Sequence, residues 1–174
     1  KPDLALVFNE GPDYAAAGVF TRNQVKAAPV LWTSQALSTG RLRAVLLNSG
    51  GANACTGPAG FQDTHTTAEA VAATLSNWGS ETGPIEVAVC STGLIGDRLP
   101  MAKVPTGVTE IVHEIHAGLL GGDDAARAIM TTDTKTMSPA AFRKLLDERD
   151  RFGRALHTIS KYMPPRELET KSER

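Results

Sequence analysis

Residues 84–96 read Pro-Ile-Glu-Val-Ala-Val-Cys-Ser-Thr-Gly-Leu-Ile-Gly. Ile85 to Val89 is a short apolar run that predicts a buried strand. Behind it comes the glycine-rich segment Cys90-Ser91-Thr92-Gly93-Leu94-Ile95-Gly96. A hydroxyl beside a glycine at the end of a buried strand suits the stabilisation of negative charge. Thr92 offers an O–H donor, and Gly93 lets its backbone N–H come close to a reacting oxygen. The same pair also reads as a turn that merely ends a strand, because strand-to-glycine loops are common.

Working outward, Leu4 to Phe8 is a second buried run, punctuated by Gly11-Pro12-Asp13. Ala17 to Thr21 and Val30 to Thr33 are expected strands. Arg43 to Asn48 is the clearest strand, and it runs into the loop Asn48-Ser49-Gly50-Gly51-Ala52-Asn53-Ala54. Asp63 to Trp78 predicts a helix, with a capping-box pattern at Thr66-x-x-Glu69 and Ala70, Val71, Leu75 and Trp78 at helical spacing. Pro100, Pro105 and Gly107 mark a loop. Val108, Ile111, Val112, Ile115 and Leu119 form a helical stripe stopped by Gly121-Gly122. Asp123 and Asp124 suit the start of another short helix through Met130. This alternation predicts a mixed α/β domain in layers, a sandwich with helices on a sheet.

The last forty residues read differently. Ser138 and Pro139 suit the start of a helix. Phe142, Leu145, Leu146, Phe152, Leu156 and Ile159 line one face of it, and Pro164-Pro165 ends it. Residues 1–134 hold 8 basic and 13 acidic side chains, a net of −5, whereas residues 135–174 hold 10 and 6, a net of +4. The expected division is therefore a domain over 1–134 and an amphipathic helical tail over 135–174.

Composition excludes several classes. The formal net charge is −1, so neither nucleic acid nor an anionic membrane surface is an expected partner. No apolar stretch has the length of a membrane span, and Lys1-Pro2-Asp3 opens into a strand-like run rather than a signal peptide, so a cytoplasmic location is expected. Cys55 and Cys90 are too few for a disulfide scaffold and form no Cys-x-x-Cys motif. His113-Glu114-Ile115-His116 spaces its histidines three apart rather than four, so it is not the zinc helix motif, and no metal is expected. Nucleotide and hydrolase-elbow glycine motifs do not occur either.

Three segments taken together are specific: Cys90–Gly96, Asn48–Ala54 and Thr131-Thr132-Asp133-Thr134. With Gly18-Val19-Phe20-Thr21-Arg22-Asn23 and Ala128-Ile129-Met130, they appear in the order found in one family. From about Asp3 to Thr134 the chain resembles the alpha segment of the ornithine acetyltransferases, also called glutamate N-acetyltransferases, of arginine biosynthesis.

The resemblance implies acetyl transfer from N-acetylornithine to glutamate through an acyl-enzyme. In such proteins a precursor cuts itself before a threonine, which becomes the N-terminus of a second chain and attacks the acetyl carbonyl. It implies that Thr92 and Gly93 form the oxyanion hole. It implies that Thr131, and next Thr132, contact the substrate amino acid, a run that otherwise reads as hydroxyl capping of a helix end. The Asn48–Ala54 loop is expected to support the site. No metal or organic cofactor is implied; the acetyl donor is N-acetylornithine or, in bifunctional members, acetyl-CoA.

Beyond Thr134 the family's Pro-Lys pair, its Lys-Gly-x-Gly-Met loop and the Ala-Thr-Met-Leu element with the nucleophile do not occur in this sequence. The expected partners are therefore amino-acid substrates and a beta chain bearing the nucleophile, or a second copy of the chain. On its own the polypeptide is expected to be inactive. The alternative reading is a non-catalytic remnant or fusion whose tail helix binds a partner protein. A Thr/Ser-nucleophile aminopeptidase scaffold fits the Thr-Thr-Asp-Thr run less well.

Overall fold

The computed structural model describes residues 3–115 and 119–131. The expected tail helix lies outside the described residues. Among the described residues three strands form one mixed sheet in the order β1 (Leu4–Phe8), β2 (Ala44–Gly51), β3 (Val87–Leu94). β1 runs antiparallel to β2 with Leu6 opposite Leu46, and β3 runs parallel to β2 with Val89 opposite Leu46. A parallel pair needs a long crossover, and here it contains helix α2 (Gly57–Asn77).

Alternation along the strands puts Leu6, Leu46, Val87 and Val89 on one face. That face packs on Ala68, Val71, Ala72 and Leu75 of α2 and on Val104, Val108 and Val112 of α3 (Val104–His113). Val71, Leu75, Val87, Val108 and Val112 are fully buried, so the helix period and the strand period meet in one core. The opposite face carries a smaller cluster of Ala36, Leu42 and Ala88. It is otherwise partly open, with Val7 exposed.

Helix α1 (Ala28–Ala36) closes the free edge of β3. The Trp32 indole Nε1–H donates to the Val87 carbonyl at 2.9 Å. The Thr33 hydroxyl donates to the Val89 carbonyl at 2.7 Å and accepts from the Val89 N–H at 3.0 Å. An edge strand leaves backbone groups unpaired, and two side chains of one helix satisfy three of them here.

Several expected boundaries move. Val30 to Thr33 is helix rather than strand: Pro29 stands in its first turn, and Ala28, Trp32 and Ala36 bury one side at fourfold spacing. Ala17 to Thr21 joins no strand; nearby, only the isolated bridge Ala15–Arg41 forms. Helix α2 starts at Gly57, with Pro58 in its first turn, so Thr66 and Glu69 lie inside it and cap nothing. The expected stripe from Val108 to Leu119 is split. α3 starts at Val104 with Pro105 in its first turn and ends at His113, and a separate helix α4 runs Leu119–Ala128. Gly121 and Gly122 lie within α4 instead of stopping a helix, a cost of roughly 1 kcal/mol each that helices tolerate.

Candidate active site

The strand β3 does not end at Cys90. It continues through Ser91, Thr92 and Gly93 to Leu94, paired with Asn48, Ser49, Gly50 and Gly51 of β2. Two segments whose partners are 43 residues apart in the chain thus become adjacent strand ends. Gly50 and Gly93 are register partners with φ of 110° and 130°, a region that side chains rarely enter. A Cβ on Gly93 would run into the carbonyl carbon and oxygen of Gly50 and stand 2.8 Å from the Gly51 nitrogen. Only a glycine at position 93 lets these backbones come so close, whereas a Cβ on Gly50 would meet nothing within 4 Å.

Asn48 braces this end of the sheet. Its Nδ2 donates to the Gly51 carbonyl at 3.0 Å, and its Oδ1 accepts from the Ser91 hydroxyl at 2.5 Å. Thr92 is exposed, and its hydroxyl has no hydrogen-bond partner among the described residues. Gly93 is exposed as well. On the same strand face as Thr92, Cys90 reaches the surface, yet the surrounding sheet still desolvates its thiolate and pushes its pKa above the ordinary thiol value.

The second half of the Asn48–Ala54 loop does different work. Asn53 is fully buried in the left-handed region, at φ 47°. Its Nδ2 donates to the Gly60 carbonyl and to Thr64 Oγ1, and its Oδ1 accepts from the Thr56 hydroxyl. The Asn53 carbonyl accepts from the Ala28 N–H at 3.1 Å, so this residue ties the starts of α1 and α2 to the end of β2.

A cavity of about 630 Å³ opens beside the strand ends, on the core-facing side of the sheet. Asn48, Ser49, Gly50, Leu94, Arg98 and Lys103 are among its walls, whereas Thr92 and Gly93 are not. Its outer wall is held by a bidentate pair: Arg98 Nε and one terminal nitrogen donate to the two oxygens of Asp63 at 2.7 and 2.6 Å. Asp63 is buried on α2, and its hydrogen bonds, and after them its charge, push the Arg98 pKa up from its ordinary value. Sequence reasoning missed this pair because nothing in the spacing of Asp63 and Arg98 announces a contact across 35 residues.

Thr131 is described and exposed, and it follows α4; Thr132 lies outside the described residues. The end of α4 docks onto β2 through the Ser49 hydroxyl, which donates to the Ala128 carbonyl at 2.7 Å. Ser49 is the register partner of Thr92, so the Thr131 segment and the Thr92–Gly93 strand end approach the same part of the sheet. His113 is exposed on α3, and His116 lies outside the described residues. Among the described residues no group of His, Cys, Asp and Glu side chains gathers to hold a metal. None of the described helices is long and apolar enough to cross a membrane.

A second cavity, of about 520 Å³, lies between Phe20, Lys26, Leu31 and Phe61. Val19 is 99% exposed and Val25 62%.

Residues 1–150 match the model of the ArgJ family. The chain is similar to the arginine biosynthesis bifunctional protein ArgJ of Mycobacterium tuberculosis, 83% identical over 131 residues, or 75% of this chain and 32% of that protein. It is 62% identical over 137 residues to the protein of the same name from Streptomyces coelicolor, 77% of this chain and 33% of that one. Among solved structures, ornithine acetyltransferase complexed with ornithine from Mycobacterium tuberculosis superposes with a TM-score of 0.75 at 82% identity, covering 76% of this chain and 69% of that one. The Bacillus halodurans argJ structure gives 0.66 at 36% identity, covering 76% and 66%. The chain spans about a third of the length of the curated relatives it matches.

Proposed function

The chain belongs to the ArgJ family, and on that premise we propose that it provides the oxyanion-stabilising part of an acetyltransferase of arginine biosynthesis. The observation that carries this reading is the state of Thr92 and Gly93. The hydroxyl stands exposed and unpartnered among the described residues, beside a glycine at φ 130° where a side chain would run into the Gly50 carbonyl. Two donors held by paired strands need little reorganisation when charge develops in front of them, and that preorganisation is what lowers an acyl-transfer barrier.

In this mechanism a threonine attacks the acetyl carbonyl of N-acetylornithine, or of acetyl-CoA. The carbonyl oxygen becomes negative as the tetrahedral intermediate forms. The Thr92 O–H and the Gly93 N–H donate to it. The proton of the threonine hydroxyl passes to the leaving amine or thiol as its bond to the acetyl carbon breaks, and the acetyl group rests on the threonine until the glutamate amine takes it and returns a proton to the threonine oxygen. Thr131, with Thr132 after it, contacts the amino-acid substrate. The attacking threonine comes from a segment outside these 174 residues, in which no Ala-Thr-Met-Leu occurs. Residues 1–134 form the acetyltransferase portion, and residues 135–174 a separate tail. A second chain would cover the exposed side chains of Val19 and Val25. A cytoplasmic location accompanies this reading.

The test is transfer of acetyl from N-acetylornithine to glutamate by the chain combined with the segment that carries the nucleophile. Thr92→Ala should lower kcat about 100- to 1000-fold, the usual effect of losing one oxyanion donor, and Thr92→Ser should restore most of it. Unchanged kcat in Thr92→Ala would sink the assignment. Turnover by the 174 residues alone would show that the nucleophile lies within them.

A further inference from the structure

Ser49 joins the two parts of the candidate site with one side chain. It is buried in β2, opposite Thr92. Its N–H donates to the Asp3 carbonyl at 2.9 Å, which fixes its place in the sheet. Its hydroxyl donates to the Ala128 carbonyl at 2.7 Å, across 79 residues of chain. Ala128 is the last residue of α4 and is 2% exposed. The last carbonyls of a helix have no intrahelical donor, and water reaches this one poorly. The chain then turns out of the helix: the Ile129 N–H donates to the Ala125 carbonyl and the Met130 N–H to the Arg127 carbonyl. Thr131 comes immediately after.

We propose that Ser49 is a positioning residue for the reaction: its hydroxyl fixes the C-terminal end of α4 on β2 and so sets where Thr131 stands relative to Thr92 and Gly93. The inference rests on the acyl-transfer reading above. Neighbouring strands lie roughly 5 Å apart, and three residues of chain reach at most about 10 Å. Those two lengths place Thr131 within reach of a ligand of amino-acid size whose carbonyl faces Thr92. A longer or looser connection would let the substrate end of the site drift while the oxyanion end stayed fixed. The role is distinct from that of Asn48, which braces the strand end itself.

The experiment uses Ser49→Ala and Ser49→Thr, with Ser76→Ala as a control. Ser76 makes comparable bonds to Thr82, at the far end of α2. In the complete enzyme, Ser49→Ala should raise KM for the amino-acid substrate about tenfold and leave kcat within about twofold, the pattern of lost positioning rather than lost transition-state contact. Ser49→Thr, which keeps the hydroxyl, should return KM toward the starting value. Ser76→Ala should leave KM unchanged. Equal KM in Ser49→Ala and the unaltered enzyme would overturn the inference, and so would a KM shift matched by Ser76→Ala. Amide hydrogen exchange on the 174-residue chain tests the contact without turnover. Exchange at Ile129, Met130 and Thr131 should speed up about tenfold in Ser49→Ala, the effect of one lost buried hydrogen bond, with β1 to β3 unchanged. Unchanged exchange there would overturn the proposal at its root. If the unaltered complete enzyme transfers no acetyl group, the reaction assignment fails and takes the positioning role with it, whereas the exchange result still decides the Ser49 contact.

Discussion

Thr33→Val measures what α1 contributes by sealing the edge of β3. The substitution keeps the volume of the side chain and removes only its hydroxyl. That hydroxyl serves both polar groups of Val89, donating to the carbonyl and accepting from the N–H. Thr33 is 8% exposed and Val89 1%, so water cannot replace it without moving the helix. Each buried group left unsatisfied costs about 1–3 kcal/mol, and the added methyl returns roughly 0.8 kcal/mol. The net destabilisation is then about 1–5 kcal/mol, centred near 3. With a urea slope of about 2 kcal/mol per molar, the midpoint falls by about 1.5 M. Trp32 reports the transition, because its ring is buried beside Thr33 and its indole bonds the Val87 carbonyl. Thr33→Ser should recover most of the loss. A Thr33→Val midpoint within about 0.3 M of the unaltered chain, at the same slope, would refute the account of the sealed edge.

Two further expectations concern the strand ends. Gly93→Ala places a Cβ against the Gly50 carbonyl at a φ of 130°, and backbone neighbours cannot swing aside as side chains do. It should destabilise the chain by about 2–5 kcal/mol and abolish exchange protection at the Gly50 end of β2; a wild-type melting curve would contradict the close pairing. The Cys90 thiol has its pKa raised by desolvation, so the folded chain holds a proton that the unfolded chain releases first. Stability from this group is complete below the ordinary thiol pKa and declines as pH rises through the higher folded value. Alkylation of Cys90 should therefore titrate above a free thiol, and Cys90→Ser should flatten the alkaline decline; titration at the ordinary value would show that the sheet face does not desolvate it.

The apolar runs of β1, β2 and β3 could be read directly, since a buried strand needs only a short stretch of consecutive apolar residues. What the sequence concealed was the reach of the last two. Asn48 to Gly51 and Ser91 to Gly93 look like loops because glycine is a poor strand former in isolation. They are strand because Gly93 leaves the room that the Gly50 backbone beside it needs, a property of the pair that no single segment displays. Val30 to Thr33 misled in the opposite way. Its β-branched residues favour strand, but the burial of Trp32 and the service of Thr33 to β3 make it helix, so tertiary contact overrides propensity. The motifs single out Thr92, Gly93 and Thr131 as candidates, and all three fall within the described residues. Ser49 could not be singled out, because a serine inside a glycine-rich run carries no sign of the helix end it holds from 79 residues away.

The helix laid along β3 also gives the sheet a direction of growth. With the carbonyls of Val87 and Val89 already taken, a newcomer strand finds no row of donors and acceptors to zip onto on that flank. Among the described residues, recruitment is left to the outer side of β1, five residues long. Any enlargement of this layer, by more of the same polypeptide or by a neighbouring one, begins where the chain itself begins its first strand.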